Sequence, residues 1–118
     1  DKTLIHFSKG LQNLKKLRKL RLDVSNCDHL SGFGLIRVSK SLQKLINLEQ
    51  LYIMMNECSN IDDEGIDQIC AAAKSMTKLK ELALEVEEIA SGGMISLSNT
   101  CKVLTQLETL YLIFNECA

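Results

Sequence analysis

Apolar residues in this chain keep two different spacings, and the change from one to the other recurs. Leu35, Val38, Leu42, Leu45 and Leu48 step by three or four residues, whereas Leu51, Ile53 and Met55 step by two. The first spacing lines one face of a helix and the second one face of a strand. Leu17-x-x-Leu20-x-Leu22 returns as Leu48-x-x-Leu51-x-Ile53, Leu79-x-x-Leu82-x-Leu84 and Leu107-x-x-Leu110-x-Leu112, at steps of 31, 31 and 28 residues. The match extends on both sides. Leu14, Leu45, Met76 and Leu104 fall in one column, Val24, Met55, Val86 and Phe114 in another, and Cys27, Cys58, Ile89 and Cys117 in a third. Upstream, Leu4, Leu35, Ile66 and Met94 align, followed three positions later by Phe7, Val38, Ile69 and Leu97. Self-similarity at a fixed period signals a repeat architecture. The pattern predicts four helix-then-strand units over residues 1–30, 31–61, 62–89 and 90–118.

Gly34, Gly65 and Gly93 occupy equivalent positions at the expected helix starts, beside candidate N-caps at Ser31, Asp62 or Asp63, and Ser91. A glycine there is expected to serve a tight turn. Ser31-Gly-Phe-Gly34 has neither the Gly-Lys-Ser nor the third glycine of a nucleotide cradle.

Four copies agreeing at eight or more columns resemble the leucine-rich repeat family, in its ribonuclease-inhibitor-like class of long helical repeats. The resemblance spans essentially the whole chain. It implies an α/β fold: a right-handed leucine-rich repeat solenoid, a horseshoe segment with a parallel sheet on the concave side and helices on the convex side. The Asn position of the family signature falls at Ser25, Asn56, Glu87 and Asn115. Ser25 and Glu87 depart from it, so the side-chain ladder that holds the turns is expected to be incomplete, with the Cys-rich column two positions on taking over. Without a polar cap at either end, the residues are expected to belong to a longer array.

Composition narrows the chemistry. Apolar residues make up 46% and charged residues 25%, a globular mix, and two-domain organisation is excluded by 118 residues. The net charge of -1 conceals an asymmetry, because residues 1–59 hold ten Lys/Arg against five Asp/Glu and residues 60–118 hold four against ten. No apolar run reaches the ~18 residues of a membrane span, and no signal-peptide pattern is present. A reduced cytoplasmic setting, with a cytoskeletal association as one option, is the expectation. Five cysteines without a C-x-x-C spacing read as thiols. Cys27 and Cys58, one strand apart, share a column with Ile89 and so describe an apolar site better than a disulfide or, with His29, a zinc site. Cys70 and Cys101 read as core or boundary residues.

The strand phase points Arg21 and Asp23 outward in the first unit, Gln50, Tyr52, Met54 and Asn56 in the second, Glu81, Ala83, Glu85 and Glu87 in the third, and Thr109, Tyr111, Ile113 and Asn115 in the fourth. Tyr, Met and Ile on an outward face suit an interface. Arg21, Asp23, Tyr52, Met54, Glu85, Tyr111 and Ile113 are therefore the candidate partner-binding residues, although β-propensity alone also selects Tyr and Ile on strands. Lysines near the helix C-termini complement the helix dipole and read as a solvated face, with no interleaved aromatics to suggest nucleic acid. His6 and His29 are the only imidazoles and neither sits in a catalytic motif, so no enzyme, cofactor or metal is expected. The expected function is protein recognition or scaffolding within a larger intracellular protein. The alternatives are a structural part of a cytoskeletal or axonemal assembly, and the regulatory repeats of a kinase, GTPase-activating or immune-receptor protein. That last analogy rests on fold.

Overall fold

A computed structural model describes residues 2–26, 32–56, 58 and 63–117. Four helices alternate with four strands: α1 (Lys2–Leu11), β1 (Lys19–Asp23), α2 (Gly32–Leu42), β2 (Gln50–Met55), α3 (Asp63–Lys74), β3 (Glu81–Ile89), α4 (Ser91–Val103) and β4 (Thr109–Cys117). The strands form one parallel sheet in chain order. Each helix packs on the helix before and after it, so the chain is a layer of helices over a layer of strands. No helix among the described residues is long and apolar enough to cross a membrane.

The sheet register reproduces the sequence columns. Leu20 pairs with Leu51, Leu51 with Leu82 and Leu82 with Leu110; Leu22, Ile53, Leu84 and Leu112 follow in the next inward row. Inward leucines from β2 and β3 meet Leu35, Val38, Leu42, Ile66 and Ile69 from the helices in one buried cluster. A repeated backbone joint sets the step between strands. The carbonyl of Arg18 accepts from the N–H groups of Glu49 (2.7 Å) and Gln50 (2.9 Å), that of Glu49 from Lys80 and Glu81, and that of Lys80 from Glu108 and Thr109. Buried hydroxyls on the helices are paired. Ser8 and Ser39 bond back to the Leu4 and Leu35 carbonyls, and Ser41 Oγ donates across to the Ser8 carbonyl at 2.8 Å, tying α2 to α1.

Outer units expose what inner units bury, because one flank of each has no neighbour among the described residues. Phe7, Leu14, Met94 and Leu110 are 42%, 52%, 46% and 40% exposed, although each aligns with buried residues elsewhere. Cys101 corrects its expected core or boundary place in the same way, being exposed where its aligned positions Leu11, Leu42 and Ala73 are buried. Cys58 and Cys70 are buried; the Cys58 thiol donates to the Val24 carbonyl at 3.1 Å, and burial pushes the Cys70 thiol pKa up. Cys27, His29 and the cap candidates Ser31 and Asp62 lie outside the described residues. Since only the thiolate attacks, alkylation of the native protein followed by peptide mapping is expected to label Cys101 quickly and Cys58 and Cys70 only after unfolding. Fast labelling of Cys70 would contradict its burial.

Two expectations about helix starts are corrected at α4. Ala90 is the N-cap residue, extended at φ -101° and ψ -179° with no side-chain capping bond, and Ser91 is already helical. Here β3 runs on to Ile89 and only Ala90 separates it from α4, whereas β2 ends at Met55 and α3 begins at Asp63. The 28-residue step is shortened in this strand-to-helix connection. No described glycine has a positive φ, so Gly93 is required by close approach and not by a turn: a Cβ there would lie 2.7 Å from Ile89 Cγ1 and 3.1 Å from Asp63 Oδ1. The Asp63 carboxylate thereby reaches the first turn of α4, where the helix dipole favours an anion. Only Asn26 adopts the left-handed conformation (φ 61°) among the described non-glycine residues, at the turn closing β1, where asparagine tolerates it.

Candidate functional site

Odd-numbered positions of β1, which face away from the helices, continue into the other strands as straight rows. Arg21, Tyr52, Ala83 and Tyr111 form one row and Asp23, Met54, Glu85 and Ile113 the next. All seven candidate residues from the sequence therefore fall in two adjacent rows, with Ala83 completing the eight positions. At one strand spacing per step the patch is about 14 Å across. It holds a shallow depression of about 270 Å³ lined by Arg21, Tyr52, Met54, Glu85, Tyr111 and Ile113. Sequence reasoning placed Ala83 outward but gave it no role. The signal was available, since a methyl group in a row of Arg and Tyr leaves a hollow between larger neighbours.

The residues of the patch differ in how firmly they are held. Tyr111 and Ile113 are 54% and 48% exposed, while Tyr52 and Met54 are half-buried and less open than the strand phase alone implied. The Tyr52 hydroxyl donates a short hydrogen bond to the Glu81 carboxylate on the neighbouring strand. The guanidinium of Arg21 reaches Met54, Nη2 to Sδ 3.8 Å. Asp23 accepts from the Ser25 N–H at 3.0 Å, and its contacts with Ser25 hold the carboxyl below the usual range. From β1 to β4 the patch thus runs from a charged edge of Arg21 and Asp23, through Tyr52 and Met54 and then Ala83 and Glu85, to an edge of Tyr111 and Ile113.

Turn chemistry below the patch is mixed, as the departures at Ser25 and Glu87 implied. Ser25 Oγ accepts from the Asn56 N–H at 3.1 Å, and Asn115 Nδ2 donates to Asn56 Oδ1 at 2.9 Å. The expectation that the Cys column takes over the turn is corrected in the last two units. Ile89 and Cys117 pair as strand residues, so the backbone ladder continues where a turn was expected.

The bond to Glu81 raises the Tyr52 pKa above its ordinary value near 10, with burial and the Glu81 charge acting in the same direction. Raised in the fold, this group contributes stability that is fully present below pH about 10 and is lost as pH rises through the folded value. Comparing urea midpoints of the parent and Tyr52→Phe from pH 9 to 11 is expected to show the steeper alkaline decline in the parent. Parallel curves would mean the bond does not form in solution.

No protein-family model and no curated protein matches the sequence. Solved structures do match. One, titled Leiomodin-1 Actin-Binding Site 2 (ABS2), is similar over 98% of this chain at a TM-score of 0.67 and 16% identity. The chain spans 63% of that structure's length. At this identity the likeness is one of fold: alternating helices and parallel strands in the same arrangement. Within the described residues no group of three or more His, Cys, Asp or Glu is placed to hold a metal ion.

Proposed function

We propose that this chain is a leucine-rich repeat solenoid segment that recognises another polypeptide on the concave outer face of its sheet, without catalysis. The observation carrying this reading is the eight-residue patch of two rows, whose central hollow over Ala83 is flanked by Tyr52 and Tyr111. Aromatic and aliphatic side chains interspersed with a few charges are the composition of a protein interface. Such a surface suits a segment with one apolar or aromatic side chain for the hollow, a basic group opposite Glu85 and an acidic group opposite Arg21. The fold likeness to the leiomodin structure, whose title names an actin-binding site, supports an intracellular, cytoskeleton-associated version of this reading with actin as the partner.

A photo-crosslinking residue at Tyr111, compared with one at Asn99 on exposed α4, tests both. A polypeptide adduct is expected from position 111 in cell extract and not from 99; equal adducts at both would remove the sheet face as the site. Whether the adduct contains actin decides the second reading. For the captured partner, Tyr111→Ala with Ile113→Ala is expected to weaken binding about tenfold or more. These two are preferable to Tyr52 and Met54, which also make internal contacts.

A further inference from the structure

The helix layer carries a second distinctive surface on the opposite side of the molecule. Helices α1 and α2 hold Lys2, Lys9, Arg37 and Lys40 and no Asp or Glu, and Lys44 follows just after α2. Between the two helices runs a groove of about 440 Å³ lined on its basic side by Lys9, Arg37, Lys40 and Lys44. All four are exposed, and among the described residues no carboxylate lines the groove. Its floor is internally satisfied, because Ser8 and Ser41 are 4% and 5% exposed and bonded to each other through the Ser8 carbonyl. Two of the cations are positioned by neutral partners: Lys44 Nζ donates to Gln12 Oε1 at 3.1 Å, and the Arg37 guanidinium stands 5.3 Å from the centre of the Phe33 ring. Elsewhere cations meet acids, as Arg18 and Lys80 do on either side of Glu49. On α3, on the far side of α2, Asp63, Glu64 and Asp67 stand against a single lysine, Lys74. Among the described residues the groove is thus a concentrated positive field.

We propose that the α1–α2 groove is a second docking surface, which binds an acidic helical segment of a partner polypeptide. Arg37 and Lys40 stand one turn apart on α2, and Lys44, in the turn just after Leu42, extends the row past the end of the helix. A partner helix with Glu or Asp at i, i+3 or i+4, and i+7 presents the complementary stripe. The half-buried Ile5 in the groove offers an apolar contact beside the charges. Nucleic acid fits less well: the lining holds no aromatic ring for a base to stack on, and the nearby Phe33 is occupied by Arg37.

The test uses the full-length protein and a fluorescent helical peptide carrying Glu at i, i+4 and i+7, with a peptide of the same composition whose glutamates are spread around the helix. Anisotropy titrations at low and physiological salt are expected to show saturable binding that weakens with salt and is several-fold tighter for the striped peptide. Lys40→Glu with Lys44→Glu is expected to weaken it about tenfold or more. Tyr111→Ala with Ile113→Ala should leave it unchanged, which separates failure here from failure on the sheet face. Unaltered melting of the charge-reversed protein confirms that it folds. The proposal is overturned if no saturable binding occurs at low salt, if both peptides bind alike, or if the charge-reversed protein binds equally well. It is also overturned if a single-stranded oligonucleotide or anionic vesicles compete more strongly than the striped peptide.

Discussion

Leu51→Ala is expected to destabilise the protein by about 3–5 kcal/mol, measured by urea unfolding, a large part of the ~5–15 kcal/mol that holds a domain folded. Leu51 is 0% exposed in β2, between the equivalent Leu20 and Leu82 and beneath the helix layer. Removing its isobutyl group takes away buried contacts and leaves a cavity whose rigid walls come from both flanking strands. The same substitution in the other strands provides the internal control. Leu82 is 5% exposed and should cost nearly as much, while Leu110, at 40%, should cost about half or less, because water already reaches it. This gradient is the signature of units that draw stability from their neighbours on either side. Equal losses at Leu51 and Leu110 would show that the column does not describe equivalent sites.

Much of that column was readable beforehand because two independent periodicities agree. The step of two in Leu51, Ile53 and Met55 sets which face is inward, and the 31- and 28-residue steps set which residues lie side by side. Together they put Arg21 beside Tyr52 and Asp23 beside Met54, the register the strands adopt. What periodicity does not encode is the length of the path between elements. The three residues missing from the 28-residue step are lost between β3 and α4, which straightens the chain through Glu87 to Ile89 and makes Ala90 the cap in place of Ser91. Nor does it encode whether a column is covered. Leu14 and Leu45 read identically, yet one is 52% exposed and the other fully buried, because burial depends on having a unit on each side.

Charge was legible as a sum but not as a surface. The excess of bases in the first half was evident, and each lysine taken alone was adequately explained by the helix dipole. Parallel stacking of α1 and α2 is what puts Lys9 opposite Arg37, Lys40 and Lys44, since residues about 31 apart in sequence become neighbours. The same stacking brings Tyr111 into the row of Arg21 across 90 residues of chain. Both faces are therefore products of the repeat step, and a change in that step would disperse them together.

That dependence makes the shortened connection the most informative place to perturb. Gly93→Ala is expected to destabilise the protein by about 1–3 kcal/mol, the range for overpacking a closed site. The added methyl would stand 2.7 Å from Ile89 Cγ1 and 3.0 Å from its Cδ1. Ile89 is 2% exposed, and its Cγ1 is attached to a branched carbon with little rotational freedom, so relief requires moving α4 away from the end of β3. Such a shift also draws the first turn of α4 away from the Asp63 carboxylate. Helix propensity acts in the opposite direction, because alanine is favoured over glycine in a helix by roughly 1 kcal/mol. Gly10→Ala isolates that contribution: in α1 nothing lies within 4 Å of a Cβ at position 10, so this variant should be more stable by about 0.4–1 kcal/mol. Opposite signs for the two substitutions, read from urea midpoints, would show that contact and not backbone freedom retains glycine at 93. A stabilised Gly93→Ala would place α4 farther from β3 than the packing of Ile89 allows.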